Sequence, residues 1–129
     1  MTYASYEMAS TAVLAPFSLS DEPTDVELVS KYFRALADPI RLRILELIAA
    51  RELCVGEIVE RAGLEQSHVS HHLACLRWCG FAATRREHRT IYYRVADERV
   101  PAMIELAREL LADNAEHVAA CKRIDNEGR

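Results

Sequence analysis

The sequence predicts a mainly helical fold carrying one β-hairpin, and three observations point there. Helical apolar spacing recurs in four stretches between Val26 and Trp78. The third and fourth stretches are separated by only three or four residues. A run rich in β-branched and aromatic residues follows the glycine at Gly80.

The elements follow in order. Residues 1–24 hold Ser, Thr, Ala, Pro16 and Pro23 with little periodicity and are expected to form a flexible N-terminal arm. Leu28, Val29, Tyr32, Phe33 and Leu36 then mark a first helix that ends at Asp38-Pro39, where the proline opens a second. Ile40, Ile44, Leu45, Leu47 and Ile48 form the apolar side of that second helix. A short third helix is predicted from Val55 to Arg61 with Gly63 as its stop, and a fourth from Gln66 to Trp78 with Gly80 as its stop. Phe81–Arg86 and Thr90–Val95 flank Glu87-His88 as the two strands of a hairpin. The last helix is expected to begin near Asp97. Val100, Met103, Ile104, Leu106, Ala107, Leu110 and Leu111 make it apolar over much of its circumference, which predicts burial against a second copy of the chain. The expected organisation is thus a dimeric winged helix-turn-helix with terminal dimerisation helices. The domain covers residues 25–112, and residues 113–129 form a C-terminal extension.

Composition narrows the function. Half of the 129 residues are apolar and 28% are charged, which suits a folded domain. No apolar run is long enough to span a membrane, and residues 1–20 lack the basic and apolar blocks of a secretory signal, so a cytoplasmic location is expected. The net charge of −4 is unevenly spread. Residues 66–94 carry Arg77, Arg85, Arg86, Arg89 and Arg94 against Glu87 alone, whereas residues 1–30 carry five acids and no Lys or Arg. A basic patch on an acidic chain can bind phosphates while the remaining surface repels them. No phosphate loop or nucleophile–base arrangement is readable, so an enzyme is not expected and no organic cofactor is implied.

The start of the fourth helix supplies candidate readers of DNA. Gln66, Ser67, His68, Ser70 and His71 are polar groups in its first turns, the part that recognition helices present to major-groove edges. Val69, Leu73 and Leu76 fall on the opposite side, with His72 nearer the core and suited to a structural hydrogen bond. Arg85, Arg86 and Arg89 at the hairpin suit contact with the phosphate backbone or the minor groove.

The end of the same helix carries Cys75 and Cys79, four residues apart and therefore one turn above each other on one face. Two thiols so placed suit a thiophilic ion, and a third, Cys121, lies near the end of the chain. A reducing cytoplasm favours free thiols over disulfides, and no C-x2-C pair marks a zinc finger.

Arg34-Ala-Leu-Ala-Asp-Pro-Ile-Arg-Leu-Arg-Ile-Leu, Glu52-Leu-Cys-Val, Val69-Ser-His-His-Leu and the Arg- and Tyr-bearing hairpin together resemble the ArsR/SmtB family of metal-sensing repressors, over about residues 26–112. The resemblance implies a homodimer that binds an imperfect palindrome of double-stranded operator DNA and releases it when metal binds. The family's Glu-Leu-Cys-Val-Cys motif reads Glu52-Leu53-Cys54-Val55-Gly56 here, so that thiolate pair is not expected and Cys54 is read as a packing residue. The zinc pattern of the last helix also fails, with Arg99 and Leu110 where histidines would stand. What remains resembles the cadmium- and lead-sensing branch. That similarity implies a metal site of Cys75, Cys79 and Cys121 for Cd(II), Pb(II), Hg(II) or As(III), within one protomer or between two. The alternative is a thiol-based redox repressor that uses the same cysteines without metal. A disulfide between Cys75 and Cys79 within one helix is geometrically awkward.

Overall fold

The computed structural model describes residues 22–127. Helix α1 spans Asp25–Leu36, α2 Pro39–Ala50, α3 Val55–Ala62, α4 Gln66–Trp78 and α5 Arg99–Leu111. Strands β1 (Leu53–Cys54), β2 (Ala82–Glu87) and β3 (Thr90–Val95) form one antiparallel sheet in the order β1-β3-β2. Two short helices, α6 (Ala115–Ala120) and α7 (Lys122–Glu127), complete the chain. The arm expected at 1–24 lies outside the described residues up to position 21.

Local chemistry sets the helix ends. Thr24 and Glu27 form a reciprocal capping box at α1, with bonds of 2.8 and 3.1 Å. Asp38 caps α2 by accepting from the Ile40 and Arg41 backbone N–H groups, ahead of Pro39 in the first turn. Gly63 ends α3 at φ 69°, and Gly80 follows α4 at φ 85°, both left-handed conformations that a side chain resists. Phe81 N–H donates back to the Leu76 carbonyl at 2.8 Å, closing the end of α4 as it turns into the wing.

Nine side chains fill the centre with no more than 2% exposure each: Ile44, Leu45, Ile48, Leu53, Ile58, Val69, Leu73, Leu76 and Phe81. They come from α2, β1, α3, α4 and the approach to β2, so the tight α3–α4 pair is clamped onto α2 and the sheet. This clamp fixes the direction in which α4 projects.

Four details refine or add to these expectations. The hairpin strands run to Glu87, so the loop is the pair His88-Arg89, with His88 at φ 57°. A third strand, β1, pairs Leu53 with Tyr93 and Cys54 with Tyr92; two residues are too few to leave a periodic signal. Helix α5 begins at Arg99, because Asp97 turns its carboxylate onto the Arg99 N–H at 2.8 Å instead of entering the helix. The part of the C-terminal extension described, residues 113–127, holds two short helices.

Candidate nucleic-acid interface and thiol site

Helix α4 presents two chemically distinct ends. Gln66, Ser67, His68, Ser70 and His71 are all exposed in its first turns, while Val69, Leu73 and Leu76 are buried beneath them. The polar row therefore stands free on a rigid support, as groove reading requires. His72 is buried and its Nδ1 accepts from Arg41 Nε at 3.2 Å, so it faces the core.

The three wing arginines are exposed but not equivalent. Arg85 Nε donates to Glu52 Oε1 at 2.6 Å, its Nη1 lies 3.8 Å from Glu87, and its guanidinium sits 4.6 Å from the Tyr92 ring centre. Much of its charge is answered within the protein, and Glu52 raises its pKa. Arg86, in register with Ile91, and Arg89, in the loop, make no ion pair among the described residues. They are the freer cations of the wing.

At the other end of α4, Cys75 is half-buried and Cys79 is exposed at the helix C-cap, where its N–H donates to the Cys75 carbonyl at 2.9 Å. Although its surface is exposed, partial desolvation by the neighbouring helix end pushes the Cys79 thiol above its usual pKa; Cys75 adds to the rise, and Arg41 and Lys31 oppose it. The pair is close enough to interact. An ion binding here would displace the thiol protons.

Cys121 is half-buried at the C-cap of α6. Among the described residues of one protomer, no group of three or more His, Cys, Asp or Glu is placed to hold a metal ion. The structure thus brings Cys75 and Cys79 together and leaves Cys121 apart from them. Two soft donors fit a thiophilic ion as part of its shell, and a third must come from elsewhere.

Two further sites read from the sequence have clear surroundings. Cys54 is the half-buried N-cap of α3, and its N–H donates to Glu57 at 3.0 Å, so it is a helix-end residue and not part of the core. Asp97 is engaged by the Arg99 guanidinium at 2.7 Å, and its carboxyl is held down at about 2 by the Arg99 hydrogen bonds. The residues that sequence reasoning missed are Glu52 and Arg41. Their roles depend on partners 33 and 31 positions away, which no local pattern reveals.

A helix-turn-helix with an exposed polar recognition face and a basic β-wing defines a winged-helix DNA-binding protein. The profile described as "Bacterial regulatory protein, arsR family" matches residues 38–84. A Streptomyces lividans protein named "Probable mercury resistance operon repressor" is 42% identical over 122 residues, covering 94% of this chain and 98% of that protein. The crystal structure of Rv0081 from Mycobacterium tuberculosis is 35% identical with a TM-score of 0.68, over 74% of this chain and 96% of that one. The solution structure of the homodimeric winged helix-turn-helix domain of Mb0332 from Mycobacterium bovis is 30% identical with a TM-score of 0.64, over 76% and 95%. The chain belongs to the ArsR family of bacterial regulatory proteins. It is a DNA-binding transcriptional regulator, not an enzyme. No helix among the described residues is long and apolar enough to cross a membrane.

Proposed function

We propose that this chain is a cytoplasmic repressor that binds a palindromic operator as a homodimer and leaves it when a thiophilic ion occupies Cys75 and Cys79. The observation that carries this reading is the shared helix: α4 holds the exposed polar row at one end and the interacting thiol pair at the other. Gln66, Ser67, His68, Ser70 and His71 face the bases, while Arg86 and Arg89, with Arg85 in a lesser role, hold phosphates.

The dimer follows from surface left uncovered. Val26, Val29 and Phe33 on α1 and Leu106, Leu110 and Leu111 on α5 are all exposed, and a groove of about 360 Å³ lined by Phe33, Leu36, Met103 and Leu111 lies between these helices. So much contiguous apolar surface calls for a partner. The homodimeric Mb0332 neighbour supports a second copy in that place.

Cys75 and Cys79 supply two thiolates, and Cys121, on the extension formed by residues 113–129, completes the set from the second protomer. Coordination by three thiolates suits Cd(II), Pb(II), Hg(II) or As(III), and the mercury-resistance repressor supports an ion of this class. The ion supplies a soft Lewis-acid centre that holds the three sulfurs at fixed separation. Binding that favours one arrangement of α4 must disfavour the other, and a coupling of about 1–3 kcal/mol between metal and DNA is ordinary. The redox alternative is weaker, since a disulfide between Cys75 and Cys79, one turn apart on the same helix, is geometrically awkward.

Titration of reduced protein with Cd(II), followed by thiolate-to-metal absorption, tests this reading. A stoichiometric band that is lost in Cys75→Ser and weakened in Cys121→Ser supports it. No band at all overturns it.

A further inference from the structure

His72 is the one buried polar side chain among the described residues, at 6% exposure, and its hydrogen bond is made to another element. Arg41, on α2, donates from Nε to His72 Nδ1 at 3.2 Å and from Nη1 to the Ala35 carbonyl at 3.1 Å. That carbonyl, in the last turn of α1, has no helical donor because the residue four positions on is Pro39, which lacks an N–H. The Arg41 backbone is itself pinned, since its N–H donates to Asp38 at 3.2 Å. One planar guanidinium thereby joins α1, α2 and α4, and the rigid fork geometry of arginine suits such a double bond.

The thiol pair shares a side of α4 with His72 and lies within electrostatic reach of the same arginine. His72, Cys75 and Cys79 fall at spacings of three and seven residues on α4, which places them on one face. Arg41 and Lys31 are the two cations whose charge acts on the Cys79 thiol.

We infer that Arg41 is a positioning residue for DNA binding: by holding His72 and Ala35 at once it sets the angle of the recognition helix against α1. We further infer, resting on the metal reading above, that this fork is the route by which the thiol pair acts on that angle. A divalent ion held by three thiolates would leave one net negative charge within electrostatic reach of the guanidinium. A guanidinium bonds an anion more strongly than a neutral imidazole. Arg41 drawn toward the sulfurs releases His72, and α4 loses the contact that fixes its direction.

The test uses the full chain with Arg41→Lys, His72→Leu, His72→Gln and the Arg41→Lys/His72→Leu pair, on a duplex selected from random sequence with wild-type protein. Arg41→Lys keeps the charge but loses the fork, and His72→Gln keeps an acceptor. Metal-free DNA binding is expected to weaken roughly tenfold in each of Arg41→Lys and His72→Leu, the scale of one charge-assisted hydrogen bond. The double variant should be no weaker than Arg41→Lys alone, since the lysine already loses the contact to His72. His72→Gln should bind nearly as wild type. Single variants that bind DNA like wild type, or single effects that multiply in the double, overturn the positioning role. If His72→Leu fails to fold, the contrast between Arg41→Lys and His72→Gln gives the same decision. With Cd(II) present, the loss of DNA affinity seen in wild type should shrink toward none in Arg41→Lys while its thiolate band persists. An unchanged loss overturns the route through Arg41. Absence of the band in wild type refutes the metal reading, and the metal-free measurements still decide the positioning role.

Discussion

Arg85 of the wing is tied to Glu52, 33 residues earlier, through a hydrogen bond of 2.6 Å that anchors β2 to the segment just before β1. The bond orders the wing and at the same time spends the charge of its first arginine. Arg86→Ala and Arg89→Ala should therefore each weaken DNA binding and reduce the salt dependence by about one unit of log–log slope, as loss of a phosphate contact does. Arg85→Ala should cost clearly less. Glu52→Gln should strengthen binding, because it frees Arg85. Fluorescence anisotropy against labelled duplex at several salt concentrations checks all four.

His72 gives stability a pH dependence with a definite sign. Burial is the largest cause of its lowered pKa; Arg41 and the nearby His68 and His71 lower it further, and Asp38 opposes them. Between the folded value and the ordinary 6.5, the unfolded chain binds more protons. The contribution is thus complete above about pH 6.5 and is lost as pH falls through the folded value. Urea midpoints for wild type should drop from pH 7.5 to pH 5, and His72→Gln should show a shallower drop.

The uncovered faces of α1 and α5 predict what breaks the dimer. Phe33 is 53% exposed and Leu110 67% exposed in a single protomer. Phe33→Glu or Leu110→Glu should raise the dimer dissociation constant roughly 100-fold or more, since an unpaired charge buried at an interface costs about 3 kcal/mol or more. Sedimentation equilibrium reads this directly. The variants should remain folded, because neither side chain belongs to the protomer core.

Cys75→Ser and Cys79→Ser should leave metal-free DNA binding within a few-fold of wild type and abolish the response to Cd(II). Both side chains lie outside the fully buried core, and serine is close in size. Loss of DNA binding in the metal-free serine variants would make the cysteines structural.

The helices were legible because their signals are local. Apolar spacing gave α4 its limits of Gln66 and Trp78, and Asp38-Pro39 marked the junction of α1 and α2. The burial of Val69, Leu73 and Leu76 beneath the polar row also follows from helical period alone. The two-residue strand β1 was not legible, since its existence depends on Tyr92 and Tyr93 arriving from the hairpin. The charge of Arg85 could be counted in the sequence, but its pairing with Glu52 is a product of the sheet order. The fork of Arg41 escaped for the same reason: Ala35, Arg41 and His72 meet only once three helices have packed.

The proposed function requires metal at the thiol pair and DNA at the other end of α4 to weaken one another's binding. The most direct measurement is the closed cycle: Cd(II) affinity with and without bound duplex, and duplex affinity with and without Cd(II), on the same reduced protein. Linkage requires the two ratios to be equal, and the account predicts that DNA weakens Cd(II) binding by the factor with which Cd(II) weakens DNA binding, on the order of 5–150-fold. A stoichiometric thiolate band with both ratios at one would contradict it.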